Sequence, residues 1–333
     1  MRIMGNNNPG LWEDWVKRCP SLIHGTHLQC LATNIEHLSG TLTKLESLEM
    51  RYVETYAATI NSAFKLPPNL HTLKLNFSSP TGKAWLNSKF SFPPRLKHLE
   101  LIITGVDIQH ADDDILSAWP IDRLLAPLSG LTHLEMLTIP VCIVGMPVGE
   151  FPNLAKWPNL HSLSARVTKP EVVHRILASV PSTQWRSLTI ECDELDPNKP
   201  GLFEGMEEAD WSQLEFLAMN ERDFFIDAAI LKRFTGLRAL HVYFIHMSPF
   251  WTTLLTVIAP ETHPHLGELD HFSKVQPWTS SNMSKEVMEA LLTWPHLISF
   301  PGSNQFPQPK WNRIRQSSLE DLAAHPLSIR TLS

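Results

Sequence analysis

Cysteine is scarce in this chain: four residues in 333, at Cys19, Cys30, Cys142 and Cys192. None stands in a CxxC pair, and spacings of 11, 112 and 50 residues build neither a disulfide framework nor a zinc motif. They read as reduced thiols of an intracellular protein, cytoplasmic or nuclear. Glycine is thin as well, 14 residues against 26 prolines. No GxSxG, no glycine-rich phosphate loop and no Gly-x-Gly-x-x-Gly occurs, which removes the common hydrolase and nucleotide-binding signatures. No apolar run approaches the ~18 residues that span a bilayer. The opening MRIMGNNNPGLWEDW lacks the charged-then-apolar run of a signal peptide. A surplus of basic residues is missing too: the net charge is -6, which gives no reason to expect nucleic acid or an anionic membrane as partner.

What the chain does have is a stretch written twice. Residues 66–75 are LPPNLHTLKL and residues 92–101 are FPPRLKHLEL, 26 residues apart counted from Leu70 to Leu96. The shared core is Leu-x-x-Leu-x-Leu. Its first leucine recurs as Leu45, Leu70, Leu96, Leu134, Leu160, Trp185, Leu214, Leu237, Leu266 and Leu297. Three residues on come Leu48, Leu73, Leu99, Leu137, Leu163, Leu188, Leu217, Leu240, Leu269 and Phe300. Two further stand Met50, Leu75, Leu101, Ile139, Ala165, Ile190, Met219, Val242, His271 and Gly302, apolar in all but the last two. Alternation of this kind makes a short strand buried on one face. A period of 20–50 residues marks a solenoid, whose repeats bury their apolar side only by stacking.

Counted on the first column, the spacings are 25, 26, 38, 26, 25, 29, 23, 29 and 31. Most leave room for a helix outside the strands. Apolar residues at helical spacing mark 170–180, 248–259 and 284–293 as such helices, and a short one opens at Ser317. Proline before the ladder, as in Trp157-Pro158, His263-Pro264 and Trp294-Pro295, is read as ending the helix and straightening the chain into the strand. The frame beginning at Leu22 places Gly25 and His27 where leucines should stand, a degenerate first repeat. Residues 1–21 form an N-terminal cap, and the solenoid fills 22–333. The long 38-residue spacing marks an insertion near 105–125 that carries Asp112, Asp113 and Asp114. The stretch from Glu191 to Asp210 reads as an acidic, exposed loop. The chain stops inside what reads as another strand, at Ile329-Arg330-Thr331-Leu332-Ser333. That is expected either of a fragment or of an open C-terminal sheet edge that favours self-association.

These columns resemble a leucine-rich-repeat protein of the ribonuclease-inhibitor-like type, over about residues 22–333. The double prolines ahead of the ladder are similar to the repeat region of eukaryotic F-box proteins with leucine-rich repeats. The resemblance implies an α/β horseshoe with an inner parallel sheet and outer helices or turns. It also implies small polar residues after the ladder, here Ser78, Thr104, Cys142, Thr168 and Asp193. It further implies non-catalytic recognition of a protein or peptide on the concave face. A second reading is the substrate-receptor subunit of an SCF-type ubiquitin ligase, although no F-box-like helical segment is visible at the N-terminus. A third, weaker one is a loop-borne hydrolase or metal enzyme.

Residues between the leucines would face the hollow side. The early strands put charged and mixed residues there, Lys74 and Arg166 among them. The later ones gather Phe216, His241, Tyr243 and Phe272, and exposed aromatics resemble interface anchors. These six are the expected partner-binding residues. Sixteen histidines invite a metal site at His263, His265 and His271, or at His110 with Asp112. No HExxH accompanies them, and His263 and His265 fall in the proline turn. No catalytic residue, cofactor or metal is therefore expected.

Overall fold

The computed structural model describes residues 27–31, 44–51, 66–77, 92–103, 128, 130–143, 157–167, 170–178, 180–192, 201–220, 228–244, 250–273 and 294. Residues 1–21, the insertion near 105–125, the helices expected at 284–293 and after Ser317, and the ladder from Leu297 lie outside them. The chain divides into two compact bodies. The N-terminal body comprises residues 1–184 with 192–196, and the C-terminal body residues 185–191 with 197–333.

In the N-terminal body, six strands lie side by side in chain order: β1 (His27–Leu31), β2 (Ser47–Arg51), β3 (Thr72–Phe77), β4 (His98–Ile103), β5 (Met136–Ile143) and β6 (Ser162–Val167). Every pair is parallel. The C-terminal body repeats the plan with β7 (Ser187–Cys192, all but its last residue in this body), β8 (Phe216–Asn220), β9 (Ala239–Phe244) and β10 (Glu268–Ser273), again parallel throughout. A parallel neighbour can be reached only by a crossover. Successive crossovers of this kind make each body a parallel-strand solenoid.

Register confirms the columns. Leu48 pairs with Leu73, Leu73 with Leu99, Leu99 with Leu137 and Leu137 with Leu163. In the second body Leu188 pairs with Leu217, Leu217 with Leu240 and Leu240 with Leu269. All nine first-column residues from Leu45 to Leu266 are buried, as are the second-column leucines from Leu48 to Leu269. Such burial stabilises by about 1.5–3 kcal/mol per large side chain. The first repeat needs a correction. β1 pairs Leu28 with Leu48 and Cys30 with Met50, so its ladder starts three residues later than the frame read from Leu22. Counted back along the sequence from Leu28, the first-column position falls on a glycine rather than a leucine, which hid the frame.

Two backbone devices recur. Within each body the residue after the first-column position offers one carbonyl to two N–H groups of the next repeat. Glu46 accepts from His71 and Thr72 at 2.8 and 2.9 Å, and Glu215 from Arg238 and Ala239 at 2.7 and 3.0 Å. A four-residue turn precedes β3 to β6 and β8 to β10, closed by the leucine N–H onto the carbonyl three residues back, as in Leu70 to Pro67, Leu160 to Trp157 and Leu266 to His263; before β7 a 3-10 turn over Ser182–Gln184 takes its place. Here lies the prolines' role. Pro68, Pro94, Pro158 and Pro264 occupy the second position of that turn, where their fixed φ is already correct. They shape the turn itself, whatever element came before it.

The first residue of the turn points inward and forms a column that sequence reading missed. Pro67, Pro93, Leu131, Trp157, Trp211, Phe234 and His263 are all buried. Trp157 donates from Nε1 to the carbonyl of Leu128 at 2.9 Å, and His263 Nε2 reaches the carbonyl of Leu231 at 2.9 Å. Each acceptor lies three residues ahead of the preceding member of the column, Leu131 and Phe234. His263 thus does in one body what the tryptophan does in the other.

Helices are few among the described residues. α1 (Pro170–Ala178) buries Val173, Ile176 and Leu177 on one face and packs on β6. α2 (Ala228–Leu231) is a single turn, and it packs against α3 (Phe250–Val257), which buries Leu254 and Val257. α1 and α3 fall where helical spacing placed them. The expected exposed loop is corrected over 201–210. Leu202, Phe203 and Met206 are buried there, and Gly205 takes the left-handed conformation (φ 77°) that a tight turn requires. Phe203, Trp211 and Phe234 meet edge to face, with centroids 5.1, 5.2 and 5.6 Å apart. Acidic Glu204, Glu207 and Glu208 stay outside and gave the stretch its polar look.

Candidate functional site

The strand residues between the leucine columns lie on the face away from that core. In the N-terminal body most of them are polar and several are cross-linked, with Met136 an exposed apolar exception. Lys74 meets Glu100 at 2.9 Å, and Thr72 Oγ1 lies 3.5 Å from His98 Nδ1. Just before the strands, Lys97 donates to Glu135 at 2.7 Å, with His98 3.7 Å from the other carboxylate oxygen. The Lys97 hydrogen bond holds the Glu135 carboxyl below the ordinary glutamate range, and the charges of Lys97, His98 and His161 add to it.

The C-terminal body differs. Phe216 on β8 packs edge to face on His241 of β9, with centroids 4.8 Å apart. His241 Nε2 in turn lies 2.9 Å from Glu268 Oε1 on β10. Small residues make room for this chain: Ala218 and Ala239 are buried beside it. The histidine side chain is 15% exposed and the glutamate 47%, so the row opens to solvent at its carboxylate end.

Of the six expected residues, Phe216 and His241 are brought into contact. Tyr243 and Phe272 are register partners on β9 and β10, next to Asn220 on β8. Their side chains, like that of Arg166 on β6, lie outside the described set. Lys74 belongs to the N-terminal body, where Glu100 holds it. The geometry therefore assembles a Phe–His–Glu row, and Glu268 is the member not singled out from sequence. Its signal was its place: it stands in register with Ala239, one row before His241 on the adjacent strand.

The second missed feature is the row of residues that follows the first column, Arg186, Glu215 and Arg238. Glu215 lies 3.7 Å from each arginine. Beside them the turn residues Gln213, Gly236 and His265 border a pocket of about 270 Å3. Two of the histidines considered for metal have other surroundings. His263 is 1% exposed and bonded to Leu231, while His265 is exposed. Among the described residues no group of three His, Cys, Asp or Glu could hold a metal ion. No helix among them is long and apolar enough to cross a membrane. No family model matches this sequence, and neither does any curated protein.

Proposed function

We propose that the chain is a leucine-rich-repeat solenoid that recognises a protein or peptide, without catalysis, on the strand face of its C-terminal body. The observation that carries this reading is the Phe216–His241–Glu268 row, flanked in register by Tyr243 and Phe272. A solvent-facing sheet gains little from such residues for its own stability. Aromatic rings beside hydrogen-bonding groups are what an interface centre uses. The leucine-to-leucine register supports the repeat family, since each strand repeats the last in phase.

The test is capture on the immobilised full chain, with bound proteins identified by mass spectrometry and their affinities measured after purification. Phe216→Ala, Tyr243→Ala and Phe272→Ala should each weaken the captured partner about tenfold or more. Lys74→Ala, on the other body, should leave it unchanged. Equal capture by all four variants overturns the reading. A ubiquitin-ligase substrate receptor is a narrower version of the same role, favoured by the double prolines Pro67-Pro68 and Pro93-Pro94. Co-purification with the ligase's adaptor subunit would select it.

A further inference from the structure

Gly236 sits directly against the backbone of the preceding turn at Ser212. A Cβ built on it would stand 2.0 Å from the carbonyl oxygen of Ser212, so no side chain can be accommodated without moving backbone. Its counterparts in the neighbouring repeats are Gln213 and His265, and both carry long side chains. The glycine thus interrupts a row of side chains, and the pocket of about 270 Å3 lies at the interruption. Arg186 and Arg238 both line it, with Glu215 in reach of each.

The charges do not cancel: two guanidiniums share one carboxylate. Neither is spent. Arg186 engages Gln213 and Glu215 through a single terminal nitrogen, Nη1, and Arg238 approaches Glu215 through Nε at 3.7 Å. A guanidinium carries five N–H donors in a planar fork suited to oxyanions. The side chains are 47% and 68% exposed, so both can swing toward a ligand.

We infer that this pocket binds an oxyanion, the carboxylate or phosphate group of a ligand, between Arg186 and Arg238. Glu215 keeps the two arginines in place when the pocket is empty and competes with the ligand for them. The site lies at the turns entering the strands and does not rest on the partner reading above.

That competition sets the sign of the test. Inorganic phosphate is titrated into the full chain and followed by phosphorus NMR line broadening and calorimetry, with acetate as competitor. Saturable binding is expected. Arg186→Gln and Arg238→Gln should each weaken it about tenfold, the scale of a charged hydrogen bond. Glu215→Gln should tighten it severalfold by releasing both arginines. Arg95→Gln removes the same charge from an exposed site on the other body and should change nothing. Thermal melts confirm that each variant is folded. Displacement by equimolar acetate would assign the site to carboxylates, and resistance to it would assign phosphates. Absence of saturable binding by either anion overturns the inference. So does Glu215→Gln weakening the site, or Arg95→Gln weakening it as much as Arg238→Gln.

Discussion

In the N-terminal body the first outward row of the strands runs His27, Ser47, Thr72, His98, Met136 and Ser162; in the C-terminal body it runs Ser187, Phe216, Ala239 and Glu268. Beneath both rows lie the same buried leucines. The backbone that supports them is also the same, one carbonyl per repeat serving two N–H groups of the next. A solenoid spends its leucines on stacking, and what faces outward has no part in that. The outward rows can therefore diverge without cost to the fold. The outward face of the N-terminal body carries ion pairs of the kind that contribute little, such as Lys74 with Glu100; on that of the C-terminal body His241, one row further along, joins Phe216 and Glu268.

The inner column at the turns separates the bodies further, and it gives the largest effect to measure. Phe234 fills it in the second body as part of the ring cluster with Phe203 and Trp211. Phe234→Ala should cost about 3–5 kcal/mol in urea unfolding. In the first body Leu131 holds the equivalent place with no such cluster around it among the described residues, and Leu131→Ala should cost about 2–4 kcal/mol. Equal losses at both positions would show that the aromatic cluster adds nothing beyond ordinary burial.

Glycine offers a sharper contrast. Gly236→Ala must push apart the turns at Ser212 and should destabilise by about 1–3 kcal/mol, the range for overpacking. Gly130, ahead of the ladder in the first body, has nothing within 4 Å of a Cβ. Gly130→Ala should be neutral or stabilise by up to about 1 kcal/mol, because it narrows the unfolded ensemble. Thermal midpoints of the two variants would move in opposite directions, and a shared direction would break the comparison.

The leucine columns were legible because a two-residue alternation under a fixed first leucine admits one strand frame and one buried face. The inner column was not, since its members share neither size nor class. Pro67, Leu131, Trp157, Phe234 and His263 look unrelated until the ladders are aligned and read three residues upstream. Proline before a leucine suggested a helix stop, although the same preference for φ near -65° suits the second place of a turn. The Phe216 and His241 pair was visible as two aromatics on adjacent strands. Glu268 was not, because nothing in a linear reading says which neighbour a histidine will lean toward.

His263 is the titrating member of the inner column. Burial pulls its imidazole below the ordinary range, against the opposing bonds to Leu231 and Ala259. A folded value below the unfolded value near 6.5 means that the unfolded chain takes up the proton first. Stability is then full above about pH 6.5 and falls as pH drops toward and through the folded value. The slope contributed is at most about 1.4 kcal/mol per pH unit. His263→Phe, which matches Phe234 one repeat earlier, should flatten that part of the profile while costing stability at neutral pH, since the Leu231 carbonyl loses its donor. Trp157 at the equivalent place in the first body bonds without titrating, so Trp157→Phe should lower stability equally at pH 5 and pH 8.

The smallest effect belongs to the ion pairs of the N-terminal body. Lys97 and Glu135 are 46% and 30% exposed, so solvent screens most of their attraction despite the 2.7 Å contact. Lys97→Gln should cost about 0.2–1 kcal/mol at low salt, and less as salt is added. The sign with pH is the same as for His263, but the cause differs: a hydrogen-bonded and ion-paired carboxylate rather than a buried imidazole. The Glu135 carboxyl is held below its ordinary value near 4.5, so its contribution is present above that pH and disappears as pH falls through the lowered folded value. Wild type and Lys97→Gln should therefore differ at pH 7 and converge as pH falls below the lowered Glu135 value. A cost above about 2 kcal/mol, or one that salt leaves untouched, would make this outward row part of the scaffold. The contrast between a constant interior and a variable face would then fail in the very body where it looks simplest.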